Sequence, residues 1–141
     1  MKRHDRRRRR RQGEEFSDAL NTAVINAAAT GVKFTLAAGN EATSATLKSP
    51  ASANGANIYT ISAMATGDVW AYYSNYDNPP VDYCEPGSNI YSTYKGGAYT
   101  TMSGTSMAAP HAAGILLLGA IKTYETVSGN PDGNPDPIGV R

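Results

Sequence analysis

Read by where its apolar residues fall, the chain divides into short periodic stretches separated by turn-forming ones. In residues 17–30, Leu20, Val24, Ala27 and Ala28 recur at helical spacing. Ser17 can cap this stretch, Asp18 suits its positive end and Gly31 can stop it, which predicts an amphipathic helix packed on a sheet. Residues 32–38 read as a strand closing on Gly39-Asn40, and residues 57–64, with Ile58, Tyr59 and Ile61, as a short buried one. Between them, residues 42–57 are rich in Ala, Ser, Thr, Asn and Gly and read as loop. Residues 70–86 are aromatic and turn-rich, broken at Asn78-Pro79-Pro80. Residues 90–93 and 98–102 read as a hairpin turning at Lys95-Gly96-Gly97, where glycine admits positive φ. The run Ile115-Leu116-Leu117-Leu118 is too continuous for a surface helix, so the helix that holds it is predicted buried nearly all round. Thr105 or Ser106 is a natural N-cap for it, and Pro110 falls early enough to be tolerated. Residues 128–141 read as a plain polar tail that fits a natural terminus, too short in spacing and too poor in carboxylates for a calcium-binding repeat.

Helix, short turn and strand in succession predict one unit of a parallel α/β sheet with flanking helices. Functional groups in such sheets gather at the carboxyl ends of strands, where Asn40 falls. Its amide can donate to a developing oxyanion without competing for a proton; equally, Gly-Asn is an ordinary left-handed turn after a strand. Ser106 lies at the positive end of a helix, where developing negative charge is stabilised. His111 follows by five residues, a spacing that brings no two helical side chains together, so it does not serve Ser106 as base.

Composition adds a division. The 141 residues, 40% of them hydrophobic, suffice for one ordinary domain. The net charge of +1 hides an asymmetry: residues 1–13 hold 8 basic groups and 1 acidic, and the rest is acidic by 6. The arginine-rich residues 1–15, which include His4, are expected to be disordered. They read better as an artefact of a truncated gene or misplaced start than as an arm for nucleic acid, because no aromatic residues interleave with the arginines. The single Cys84 cannot form an intrachain disulfide and reads as a small core residue. There is neither a membrane-spanning apolar run nor a signal-peptide pattern.

Residues 104–114, Gly-Thr-Ser-Met-Ala-Ala-Pro-His-Ala-Ala-Gly, resemble the active-serine motif of the subtilisin-like serine peptidases almost letter for letter. Ser49-Pro50-Ala51-Ser52 and Ser74-Asn75-Tyr76 point to the proteinase K branch, and the resemblance runs over residues 17–124. It implies that Ser106 is the nucleophile and that Asn40, with the Ser106 N–H, forms the oxyanion hole. It implies that Gly39, Glu41 and Thr105 bind substrate, with Glu41 at the rim of the first specificity pocket; a solvated loop carboxylate is the plainer reading of Glu41. His111 would be structural, buried and hydrogen-bonded. A weak calcium site would use Asp82 with backbone oxygens of Ala56 and Ile58, and the chemistry would need no cofactor. Glu85 departs from the family pattern, which has a small residue before Pro-Gly.

Such peptidases order their triad Asp, His, Ser. No Asp-x-Gly and no His-Gly-Thr segment precedes Asn40, and no Ser-Leu-Gly-Gly strand is present. The chain thus reads as the C-terminal half of a subtilisin-like catalytic domain at residues 16–127, lacking its N-terminal half. The expectation is a peptide-bond hydrolase acting on polypeptides, secreted by resemblance, without nucleic-acid or membrane partners, and inactive alone. A non-catalytic degenerate fragment is the alternative, with nucleic-acid binding by the arginine stretch behind it.

Overall fold

The computed structural model describes residues 16–141, so the expectations for residues 1–15, His4 included, lie outside the described residues. The elements in chain order are α1 (Asp18–Ala28), β1 (Phe34–Ala37), β2 (Ile58–Ala65), β3 (Val69–Trp70), β4 (Val81–Pro86), β5 (Ile90–Tyr94), β6 (Ala98–Met102), α2 (Thr105–Leu118), β7 (Lys122–Thr126) and β8 (Pro137–Val140), with a short 3-10 turn at Ala45–Leu47. The main sheet runs β1-β2-β4-β8-β7, and β3 pairs with β2. β1, β2, β4 and β8 are parallel, while β7 and β3 run antiparallel to their neighbours. β5 and β6 form a separate hairpin.

α1 starts as its sequence dictates: the Ser17 hydroxyl accepts the Leu20 N–H at 3.2 Å, and Gly31 follows its end at φ 101°. Its buried face is shifted from the predicted one. Asn21, Val24 and Ala28 turn inward, and Leu20 is exposed. The Asn21 amide donates to Ser52 Oγ at 2.9 Å, so a polar side chain occupies a place that periodicity assigns to a leucine. Val24 and Ala28 pack with Leu36, Ala53 and Ile58 on one face of the sheet.

α2 covers the other face through Ala108, Ala109 and Ala112, against Ile61, Ala63 and Ala71. This small-residue stripe lets the helix sit close to the strands. It also leaves the leucines that follow on the far side: Leu117 is 88% exposed and Leu118 63%. Burial nearly all round is therefore wrong for α2. The serine and threonine do not cap it either. Gly104 is the N-cap, at φ 152°, without a side-chain cap bond.

The polar tail is also corrected. Residues 137–140 are a strand of the main sheet, with Ile138 and Gly139 buried. A Cβ on Gly139 would collide with the Glu85 carboxyl, which accounts for a glycine in the middle of a strand. Asp136, just before it, is buried and accepts a hydrogen bond from Ser62 Oγ at 2.6 Å.

Candidate active site

The carboxyl end of β1 and the amino end of α2 meet, and one threonine ties them. Thr105 is fully buried. Its hydroxyl accepts the Gly39 N–H at 3.0 Å and donates to Asn40 Oδ1 at 3.0 Å. The Thr105 N–H donates to the same Oδ1 at 2.8 Å. Asn40 Oδ1 thus holds the first turn of α2, and among the described residues no hydrogen bond engages its Nδ2. Thr105, expected to bind substrate, is instead enclosed, because both lone-pair and proton sides of its hydroxyl are used by the protein.

The loop carrying Asn40 is set by a residue that the motifs pass over, Asn75, which is fully buried. Its Oδ1 accepts the N–H groups of Glu41 and Thr43 at 3.0 and 3.1 Å. Its Nδ2 donates to Ala38 O at 3.0 Å and to Glu41 Oε2 at 2.8 Å. A Cβ on Gly39 would collide with that amide, and Gly39 has φ 107°, so glycine is required there. The only signal for Asn75 in the sequence is its place in Ser74-Asn75-Tyr76; nothing local announces that it bonds a loop 34 residues away.

Glu41 is exposed, and its carboxylate is tethered to the loop it sits on. Oε2 also accepts the Asn40 N–H at 2.9 Å, and Oε1 lies 3.5 Å from Lys48 Nζ. Burial pushes its carboxyl up, but the Asn75 hydrogen bond, the Lys48 charge and the Asn40 N–H together hold it below the usual range.

Ser106 is exposed, in the first turn of α2, where no helical carbonyl is available to its N–H. Among the described residues, no histidine or carboxylate is hydrogen-bonded to its hydroxyl. His111 Nδ1 is bonded to Met107 O at 2.9 Å. The hydrogen bond expected of His111 is present, but the side chain is exposed rather than buried, since it lies off the alanine stripe that meets the sheet. Two clefts flank the corner. One of about 400 Å³ lies between the hairpin and α2, lined by Tyr91, Met102, Ser106, Met107 and His111 among others. The other, of about 630 Å³, is lined by Asn40, Trp70, Tyr72, Tyr73 and Gly104 among others. Neither lining contains Lys, Arg, Asp or Glu.

Asp82, the carboxylate of the expected calcium site, lies on β4. Its Oδ2 accepts the Thr60 N–H at 2.8 Å beside the β2–β4 register shift. Burial pushes its carboxyl up, against the opposing effect of that hydrogen bond. Cys84 is buried and its thiol is pushed up to about 12, chiefly by burial, as expected of a core residue.

The model of the subtilase family (Peptidase_S8) matches residues 6–126. The chain is 47% identical over 103 residues to the subtilisin-like serine protease Pen c 1 of Penicillium citrinum, covering 73% of this chain and 25% of that protein. It is 45% identical over 119 residues to subtilisin-like protease 1 of Arthroderma otae, covering 84% and 23%. Among solved structures, a cold adapted subtilisin-like serine proteinase superposes with a TM-score of 0.78 at 33% identity, over 88% of this chain and 50% of that one. The chain thus spans about a quarter of the length of these curated relatives.

Proposed function

Because this chain belongs to the subtilase family, we propose that it is the nucleophile-bearing part of a serine endopeptidase acting on polypeptides through an acyl-enzyme on Ser106. The observation that carries this reading is the bonding of Asn40. With Oδ1 committed to Thr105, the amide has one orientation, and its Nδ2 is the group left to meet an oxyanion. Ser106 Oγ would attack the scissile carbonyl carbon while its proton passes to a base. The carbonyl oxygen becomes an oxyanion that accepts from Asn40 Nδ2 and the Ser106 N–H. Collapse then breaks the C–N bond, the leaving amine takes the proton, and water repeats the sequence on the ester. In subtilisin, loss of such an amide donor costs roughly 10²–10³ in turnover. The chemistry asks for no metal or cofactor, since N–H donors hold the developing charge.

The sequence requires a base that the described residues do not supply. A serine hydroxyl without one is a weak nucleophile. The chain alone is therefore expected to be inactive, the intact enzyme lying outside the cell by its family resemblance. Among the described residues, no helix is long and apolar enough to cross a membrane. The test is casein hydrolysis by the 141-residue chain and by Ser106→Ala. No cleavage above background is expected of either. Robust cleavage that disappears in Ser106→Ala would contradict the missing base, and cleavage that survives the substitution would contradict the nucleophile.

A further inference from the structure

β4 ends in Cys84-Glu85-Pro86-Gly87, and Glu85 is only 3% exposed. Its cross-strand partner Ala63 belongs to the layer that packs on α2, so the carboxyl lies on the helix side of the sheet. β8 meets it with Gly139, where a Cβ would strike Oε1, and Ile121 lies 3.0 Å from that same Cβ position. Among the described residues Oε1 has no hydrogen-bond partner. What lies beside it does not ionise: Ala63 is its cross-strand partner on β2, and Gly139 of β8 and Ile121, from the connection into β7, meet near Oε1. Of the ionisable groups on these elements, Cys84 alternates to the other face of β4, toward Ser62 and Asp136. Tyr59 and Tyr83 are partly buried against the α2 layer, and His111, Lys122 and Glu125 are exposed. A neutral acid can occupy such a place, whereas an ionised one would leave its buried Oε1 with neither water nor a partner.

Two residues further on lies the clamp that seats the nucleophile. Gly87 O accepts the Gly104 N–H at 2.8 Å and the Tyr73 hydroxyl at 2.9 Å. The Gly87 N–H donates to Met64 O at 2.9 Å. A Cβ on Gly87 would lie 2.6 Å from the Ala63 Cβ and 2.9 Å from Gly104 O, so strand and helix start are in close contact there. Thr105 and Ser106 follow Gly104 directly.

We propose that Glu85 is a pH-sensitive latch: as a neutral acid it lets β4 and β8 close beneath α2, and its ionisation opens that seam and slackens the Gly87–Gly104 clamp behind Ser106. The latch goes beyond the peptidase reading and does not depend on it. Burial pushes the carboxyl up to about 7, which puts the change in the neutral range. Because the folded state favours the neutral form, the seam is closed below that value and opens as pH rises through it.

Hydrogen exchange of the full chain, read by mass spectrometry at pH 5.5 and 8.5 and corrected for intrinsic exchange, tests this. Protection of residues 81–88, 103–107 and 137–140 should fall about tenfold or more at the higher pH, the equivalent of one pKa unit, while α1 and β1 hold. Glu85→Gln should remove the difference at residues 103–107, leaving at residues 137–140 only the share that Asp136 contributes; if that variant does not fold, Glu85→Leu serves. Asp136→Asn should leave the difference at residues 103–107 in place. A step at residues 103–107 that survives loss of the Glu85 carboxyl, one that vanishes there with Asp136→Asn, an equal loss across α1 and β1, or no step at all would overturn the latch.

Discussion

Two buried polar regions of this molecule are built on opposite terms. Around Asn75 and Thr105 the polar atoms that tie the Asn40 loop to α2 are paired, each bond crossing between elements distant in sequence. Along the β4–β8 seam, Glu85 Oε1 and Asp136 Oδ1 are buried carboxyl oxygens without a hydrogen-bond partner among the described residues, Asp136 keeping only the Ser62 bond to its other oxygen. A paired group contributes order, since removing its partner leaves an unsatisfied group behind; an unpaired acid makes the fold depend on its proton. The region proposed to do chemistry is thus the rigid one, and the region beside it is sensitive to conditions.

Cutting the paired side is expected to give the largest effect. Asn75→Leu strands Ala38 O and the N–H groups of Glu41 and Thr43, and should cost about 4 kcal/mol in urea denaturation. A cost below about 1 kcal/mol would mean that the loop holds without its hub. The unpaired side should next show itself as pH dependence. Burial pushes Glu85 up to about 7 and Asp136 up to about 6. Both folded values lie above the unfolded ones, so the stability these acids contribute is full below about pH 4 and is lost as pH rises through 6 and 7. Denaturation midpoints should therefore fall from pH 5 to pH 8, by about 3 kcal/mol, and flat or rising midpoints would erase the contrast between the regions. Thr105→Val should be the smallest of the three, about 2 kcal/mol, because it removes a single hydroxyl bridging Gly39 and Asn40.

Much of the frame was legible along the chain. The Ser17 cap, the Gly31 stop, the β1 and β2 strands and the hairpin about Gly96 and Gly97 depend on local chemistry, and they stand close to where local chemistry puts them. The active-serine stretch was legible because its residue types are fixed in order. What escaped depends on partners far away. Leu117 and Leu118 read as core by composition, yet the sheet packs on alanines, which nothing in an apolar run distinguishes from leucines. β8 hides in Pro-Ile-Gly-Val, whose glycine makes sense only beside Glu85. Asn75 and Thr105 carry no periodic signal, since their roles are bonds across 34 and 65 residues.

The central claim is that the Asn40–Ser106 corner is arranged for acyl transfer and wants a base. The most direct measurement is the rate of fluorophosphonate labelling, mapped to residues by mass spectrometry, with and without added imidazole as an external base. Labelling is predicted to fall on Ser106, to quicken at least about tenfold with imidazole, and to drop by ~10²-fold in Asn40→Ala. Labelling shared evenly with Ser103 and Ser88, or indifferent to both imidazole and Asn40, would contradict it.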